Sequence, residues 1–394
     1  MALGEGSLLH TYNRLPLVID HGDGMYLYDV DGKAYLDFCA GIAVFALGYA
    51  DPHVDAGLKD QIGKIVHTSN YFYNEPAVTA AARLTAFAGM DRVFFTNSGT
   101  EAVEGALKLA RRYQLNRGRE GRYEIVAMEH SFHGRSMGAL SVTGKPAYRA
   151  PFEPLIGGVK FVEPGDIESL LDAVDEKTAA ILLEPIQGEG GIVELSDEYM
   201  KEVRAICDER DIVMIADEIQ CGLGRTGQDF AWQKSGAEPD VLLLAKAMGC
   251  GIPCGAILCK EDFAALVPGD HGSTFGGNPL AGRAVNLFLD RYEELDLAKN
   301  AAKVGDYMKK KLTELAEEMP QIVGLRGRGL MQGVVLAPEV GAGAVMKLAL
   351  EERLVVITAE GNIVRLLPPL IVKETDVDVM IPRLKAAILR AAEA

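Results

Sequence analysis

The chain has 394 residues, 48% of them apolar, with 56 acidic against 40 basic side chains and a net charge of −16 at neutral pH. That balance disfavours nucleic acid and anionic membranes as partners, and no apolar run is long enough to span a bilayer. The length suits two or more domains around a large core, and residues 1–6 lack the basic start and apolar run of a signal peptide, so a cytoplasmic protein is expected.

Six scattered cysteines read as reduced thiols in a chain of this size. Cys250, Cys254 and Cys259 have neither paired C-x-x-C spacing nor a histidine among them, and no metal site is expected there. Residues 25–30 and 34–38 alternate and are aromatic, and the turn Val30-Asp31-Gly32-Lys33 between them predicts a hairpin. Asp51-Pro52 predicts a helix start, with aspartate capping free amides and proline at the first helical position. Residues 67–74, polar and aromatic together, read as a contact loop for a ligand or another subunit.

From about residue 91 to 280, short apolar runs alternate with helical segments. The candidate strands are residues 92–96, 124–128, 179–183, 212–216 and the run Val241-Leu242-Leu243-Leu244 ahead of Lys246. Helices between strands imply right-handed crossovers and a largely parallel sheet, with active groups beyond the carboxyl ends of the strands. Motifs do fall at those ends. Asn97-Ser98-Gly99-Thr100-Glu101 joins a strand to a helix, which suits a phosphate site or equally an ordinary helix cap. Phe132-His133-Gly134-Arg135 offers a ring cover and a guanidinium for a carboxylate. Glu184-Pro185-Ile186-Gln187-Gly188-Glu189 places two carboxylates on a glycine-rich turn, able to neutralise an arginine or orient a substrate.

Asp217 closes a strand, and a buried carboxylate there needs a cationic partner such as a protonated heterocyclic nitrogen. Gly222-Leu223-Gly224-Arg225-Thr226-Gly227 matches the dinucleotide pattern G-x-G-x-x-G. Its first glycine lies well past the strand, however, and no second acid-ended strand follows, so a nicotinamide site is rejected. Lys246 follows Asp217 by 29 positions, about one βαβ unit. His271-Gly272-Ser273-Thr274-Phe275-Gly276-Gly277-Asn278-Pro279 is a plain loop or a second phosphate contact. A phosphate cradle, an aromatic cover, a strand-end aspartate and a strand-end lysine together form the set that pyridoxal phosphate requires.

In order and spacing, these motifs resemble the fold-type I aminotransferases of class III over nearly the whole chain. The resemblance implies an α/β fold whose large domain, residues 56–280, has a mostly parallel central sheet. A smaller α+β domain would come from residues 1–55 and 281–394. It implies pyridoxal 5'-phosphate as cofactor, with Ser98, Gly99 and Thr100 at its phosphate and Phe132 on its ring beside His133. Asp217 matches the pyridinium partner, Gln220 the contact near the ring oxygen, and Lys246 the Schiff-base lysine. Thr274 matches a threonine that reaches the phosphate of the partner subunit, which implies a homodimer with a shared active site. Arg135, with Ser273 beside it, matches the arginine for the carboxylate far from the reacting amine. Arg365 matches the arginine for the α-carboxylate, and Glu189 the carboxylate that masks it while an ω-amine substrate is bound.

Residues 37–48 are similar to the branch of the family that acts on acetylated ornithine, and Ile42 stands where free-ornithine enzymes commonly have tyrosine. The expected reaction is ping-pong transfer of the δ-amine of N2-acetyl-L-ornithine to 2-oxoglutarate. Alternatives are another ω-amine donor (succinyldiaminopimelate, acetyllysine, ornithine or 4-aminobutyrate), an aminomutase, or a non-catalytic cofactor-binding protein. Val103, in place of an asparagine, and Tyr49-Ala50-Asp51-Pro52, in place of a histidine-rich turn, depart from the family pattern beside the expected site. Beyond residue 281, helices alternate with strands at 333–336 and 354–357, and residues 325–330 read as a turn leading into a strand.

Overall fold

A computed structural model describes residues 1–393. Near the amino terminus β1 (Ile19–Asp23), β2 (Tyr26–Asp29) and β3 (Ala34–Asp37) form an antiparallel meander that contains the predicted hairpin. The helix Pro52–Lys64 begins as expected: Asp51 Oδ1 accepts from the amides of His53 and Val54, at 3.0 and 3.1 Å.

The central sheet takes β4 (Arg92–Thr96), β5 (Glu124–Met128), β6 (Val159–Val162), β7 (Thr178–Leu183), β10 (Val213–Asp217), β11 (Val241–Leu244) and β12 (Gly255–Cys259), while β8 (Ile186–Gln187) and β9 (Val193–Glu194) form a separate small ribbon. Its order is β4-β12-β11-β10-β7-β5-β6, parallel among β11, β10, β7, β5 and β6, with β12 antiparallel to β11 and β4. Every residue of β7, β10 and β11 is buried, which is why their sequences are unbroken apolar runs without polar alternation. Successive residues serve opposite faces. Ala180 and Leu182 join a core with Ala106 and Ala110 of the helix Gly99–Asn116, whereas Ile181 and Leu183 pack with Val203 and Ile206 of the helix Asp197–Arg210.

Toward the carboxyl terminus, β13 (Ile322–Arg328) and β14 (Met331–Leu336) form a hairpin. The expected turn does lead into a strand, β14, but its extent is corrected: strand runs through Arg328 and only Gly329 and Leu330 turn. Gly327 misleads because it sits within the ladder opposite Gln332, where a Cβ would lie 2.0 Å from the Met331 carbonyl oxygen. The single strand expected at 354–357 is two, β15 (Leu354–Val355) and β16 (Ile357–Ala359), which change sheets at Val356. β15 runs parallel to β3, pairing Leu354 with Leu36, while β16 joins β17 (Ile363–Leu366) in the sheet β13-β14-β17-β16. Among the described residues no helix is long and apolar enough to cross a membrane.

Candidate active site

The carboxyl ends of β4, β5, β7, β10 and β11 converge on one cavity of about 280 Å³. At the end of β4, Ser98 accepts from the Glu101 amide at 3.3 Å, and Glu101 Oε2 accepts from the Asn97 amide at 2.6 Å. Ser98 is thus a helix cap and a cavity wall at once. The amides of Gly99 and Thr100 precede the first intrahelical bond, from Ala102 N to Ser98 O, so they remain donors for an anion. A Cβ at Gly99 would sit 2.8 Å from Cδ1 of Ile219, so a larger residue here would have to displace the Ile219 side chain. Thr100 Oγ1 lies 2.7 Å from Ser136 Oγ.

After β5, His133 is buried, and its Nδ1 lies 2.7 Å from Asp217 Oδ2. His133 is therefore a partner of the aspartate, and Phe132 alone is free to cover a ring. His133 Nε2 is buried without a hydrogen-bond partner. The Phe132 amide donates to Glu184 Oε2 at 3.0 Å. Arg135 is exposed at the rim, its guanidinium 3.9 Å from the Tyr148 ring centroid, an arrangement that leaves its N–H edge for an anion.

After β7, Glu184 also accepts from the Gly188 amide at 3.3 Å, so one buried carboxylate joins the Phe132 loop to the loop bearing Glu189. Burial pushes the Glu184 carboxyl up to about 7; His133 opposes the shift and Asp217 adds to it. Asp217, the last residue of β10, is 4% exposed, and its Oδ1 accepts from the Ile219 amide at 3.1 Å. Two residues beyond β11, Lys246 opens onto the cavity with φ +46°, a left-handed backbone that costs a non-glycine residue about 1–2 kcal/mol. Burial and the nearby Arg365 hold its amine below the usual lysine value, against the pull of Glu189, Asp217 and Glu184.

Arg365 on β17 reaches in from the other sheet, 2% exposed. Its Nη2 meets Glu189 Oε1 at 2.7 Å and its Nη1 donates to Gln220 Oε1 at 3.0 Å. Burial raises the Glu189 carboxyl, but Arg365 outweighs it and holds the group below the usual carboxylate value. Lys145 Nζ donates to the Glu189 carbonyl at 3.2 Å, a support that no motif announced.

Two predicted residues are not brought to this cavity by their own chain. Ser273 Oγ accepts from Asn97 Nδ2 at 3.1 Å rather than lying at Arg135, and Thr274 is exposed beside Phe275. Ile219 lines the cavity unforeseen; its place two residues past the Asp217 strand end was the available signal. The departures have local explanations. Val103 is buried in the apolar core, and Tyr49 donates its hydroxyl to buried Asp37 at 2.6 Å.

Strand-end carboxylate, enclosed lysine and helix-start amides on a mixed, mostly parallel sheet define a class. The chain belongs to the class-III aminotransferases, fold-type I enzymes that use pyridoxal 5'-phosphate: the family model matches residues 9–388. It is 46% identical to the acetylornithine aminotransferase of Methanocaldococcus jannaschii, covering 95% of this chain and 94% of that protein. It is 44% identical to the acetylornithine aminotransferase of Clostridium acetobutylicum, covering 95% and 97%. Among solved structures, the ornithine aminotransferase of Toxoplasma gondii, with partial occupancy of pyridoxal phosphate, superposes with a TM-score of 0.95 at 30% identity, covering 100% of this chain and 94% of that one. The residues present fit the cofactor: the open amides at Gly99 and Thr100 suit its phosphate, the Asp217 carboxylate its ring nitrogen, and the Lys246 amine its aldehyde.

Proposed function

We propose that the enzyme transfers the δ-amine of N2-acetyl-L-ornithine to 2-oxoglutarate by a ping-pong route, on a homodimer with shared active sites. The observation that carries this reading is the Arg365–Glu189 pair at 2.7 Å. The acetylornithine aminotransferases at 44% and 46% identity support the choice of donor.

When bound, pyridoxal phosphate supplies an aldehyde to hold the amine and a ring that accepts electrons. Gly99 and Thr100, with Ser98, would grip its phosphate, and Phe132 would cover its ring. Asp217, oriented by His133 and the Ile219 amide, would keep a proton on the ring nitrogen; Gln220 would stand near the ring oxygen. Lys246, its amine depressed by burial and Arg365, has a larger neutral fraction than an ordinary lysine, so Nζ can bond the aldehyde. Once released, it would take and return the proton at the substrate carbon that bears the amine. Arg135 would hold the donor's carboxylate, with Ser273 contributed nearby. Glu189 covers Arg365 while the uncharged part of the pocket accepts the amine-bearing end; its departure then frees Arg365 for the α-carboxylate of 2-oxoglutarate.

The dimer is supported by a surface that a single chain leaves open. Tyr71, Phe72 and Tyr73 are 94%, 71% and 97% exposed, and Thr274 and Phe275 are exposed as well. A second copy would cover this patch and receive Thr274 at its phosphate turn. The pairing of β3 with β15 supports a small domain built from residues 1–55 and 281–394 against a large one of 56–280. Six unpaired cysteines suit a reducing compartment, the cytoplasm.

The test is kcat/KM across N-acetylornithine, ornithine, succinyldiaminopimelate, acetyllysine and 4-aminobutyrate, with glutamate measured as product. N-acetylornithine should lead by at least about tenfold, which corresponds to about 1.4 kcal/mol of preference over the next donor. Another donor equal to it, or no glutamate formed, overturns the assignment.

A further inference from the structure

The segment Gly222-Leu223-Gly224-Arg225-Thr226-Gly227, whose place in the sequence argued against a dinucleotide site, carries a buried arginine. Arg225 is 2% exposed and stands among the largest fully buried side chains. No carboxylate pairs with it among the described residues. Burial lowers its guanidinium to about 9, still cationic at neutral pH. An apolar side chain of similar volume would avoid that desolvation, so its contacts must account for it.

Those contacts are backbone carbonyls of the sheet that carries Arg365. Arg225 Nη1 donates to the carbonyls of Leu330, at 3.1 Å, and of Pro368. Leu330 turns the β13–β14 hairpin, and Pro368 lies three residues past Arg365. In that sheet Gly333 of β14 stands directly opposite Arg365 of β17. One nitrogen therefore clasps the ends of both strands beside the carboxylate-binding arginine. Two more bonds close the same joint: the backbone amide of Leu330 donates to Arg225 O at 2.9 Å, and the Arg328 side chain donates from Nη1 to Thr226 O at 3.0 Å. A Cβ on Gly329 would lie 2.5 Å from the Thr226 carbonyl carbon, so the two loops interlock without slack. Five residues before Arg225, Gln220 accepts from Arg365 itself. The loop after Asp217 thus holds Arg365 at its head through Gln220 and at its strand end through Arg225.

We propose that Arg225 is a positioning residue that fixes Arg365 relative to the Asp217 loop and so sets affinity for the α-carboxylate substrate. The inference rests on the reading of Arg365 given above. It assigns Arg225 to one half-reaction. The amine donor is received while Glu189 covers Arg365, and Asp217 is held separately by His133 and the Ile219 amide, so the donor step does not depend on the clasp.

The experiment uses the holoenzyme with Arg225→Met, which removes both donated bonds, and Arg225→Lys, which keeps the charge without the planar fork. Each half-reaction is followed separately, and glutarate, an unreactive dicarboxylate, is titrated by calorimetry. For Arg225→Met the expected result is a rise of at least about tenfold in KM for 2-oxoglutarate and in the glutarate dissociation constant. The donor half-reaction should change less than about twofold. Arg225→Lys should recover most of the loss yet remain about threefold weaker than the parent. Equal losses in both half-reactions, an unchanged glutarate constant in either variant, or failure of both to fold overturns the proposal. Arg365→Lys is the control. If it leaves 2-oxoglutarate binding intact, the Arg365 reading itself fails; if it weakens binding and Arg225→Met does not, only the clasp fails.

Discussion

Two polar and aromatic regions of this enzyme differ in how complete they are within one chain. Around Asp217, His133 and Lys246, polar groups sit at or just beyond the ends of buried strands, and the Asp217 carboxylate meets His133 at 2.7 Å and the Ile219 amide at 3.1 Å inside the same subunit. At residues 67–74 and 271–278 the aromatic rings face outward, and Thr274 is exposed with them. The first region is positioned by the sheet, whose parallel strands deliver side chains to one edge. The second has loop conformation already fixed, since Asn70 Nδ2 donates to the carbonyls of Ser273 and Gly276 at 2.8 and 2.9 Å, but its apolar area has no cover. The contrast shows an active site whose floor is built within one chain, while the exposed aromatic side is the face that the dimer proposed above would cover.

The sharpest test of the floor is Lys246→Ala. Transamination should fall by roughly 10⁴-fold, the combined loss of the covalent anchor and the proton carrier, and the cofactor's characteristic visible absorption should disappear. A loss of less than about a hundredfold would break the claim that the floor is the reactive centre. Next in size is the exposed aromatic side. Replacing Tyr71, Phe72 and Tyr73 together with serine should yield monomers by sedimentation. Cofactor affinity should weaken about tenfold to a hundredfold, as expected when one charge-assisted hydrogen bond to the phosphate is lost. A triple variant that stays dimeric with full affinity would separate the aromatic patch from Thr274.

The smallest effect belongs to Glu218, buried beside the floor and accepting from the Ala231 and Trp232 amides at 2.7 and 2.8 Å. Burial raises its carboxyl from 4.5 to about 7, against the opposing pull of those two amides. The folded state therefore binds the proton more tightly than the unfolded chain. Its stabilising share is full below pH 4.5 and is lost as pH rises through about 7, amounting to about 3 kcal/mol at about 1.4 per pKa unit. Glu184 titrates in both proteins, so melting curves of parent and Glu218→Gln between pH 4.5 and 8 should both fall, the parent more steeply by the Glu218 share, and should converge in slope at the alkaline end. Parallel curves would place the titration elsewhere.

How much was legible beforehand follows from which atoms carry each contact. Four of the five central-sheet strands read from the sequence, β5, β7, β10 and β11, are almost wholly buried and so carry apolar runs; half-buried β4 was visible from Val93-Phe94-Phe95, and Asp217 and Lys246 stood out as charges at the ends of such runs. β6, only four residues with Lys160 inside it, carried too little signal. Gly255-Ala256-Ile257-Leu258-Cys259 drew attention for its cysteine and is in fact the antiparallel strand β12 between β4 and β11. In the site, residues of charged chemistry were found by type and order. Glu184 as a bridge and Arg225 as a clasp were not, because both bind main-chain groups, which every residue possesses and no pattern marks.

The pairing of β3 with β15 sets a schedule for synthesis. Leu36 meets Leu354 about 300 residues later, so the first strands leave the ribosome with one edge unclaimed and wait until nearly the whole chain has followed. At about 5–20 residues per second that interval is on the order of tens of seconds. The central sheet, whose strands all lie between Arg92 and Cys259, is complete well before it ends. A nascent chain would thus carry a formed floor beneath an open amino-terminal edge, and guarding that edge falls to whatever meets the emerging chain.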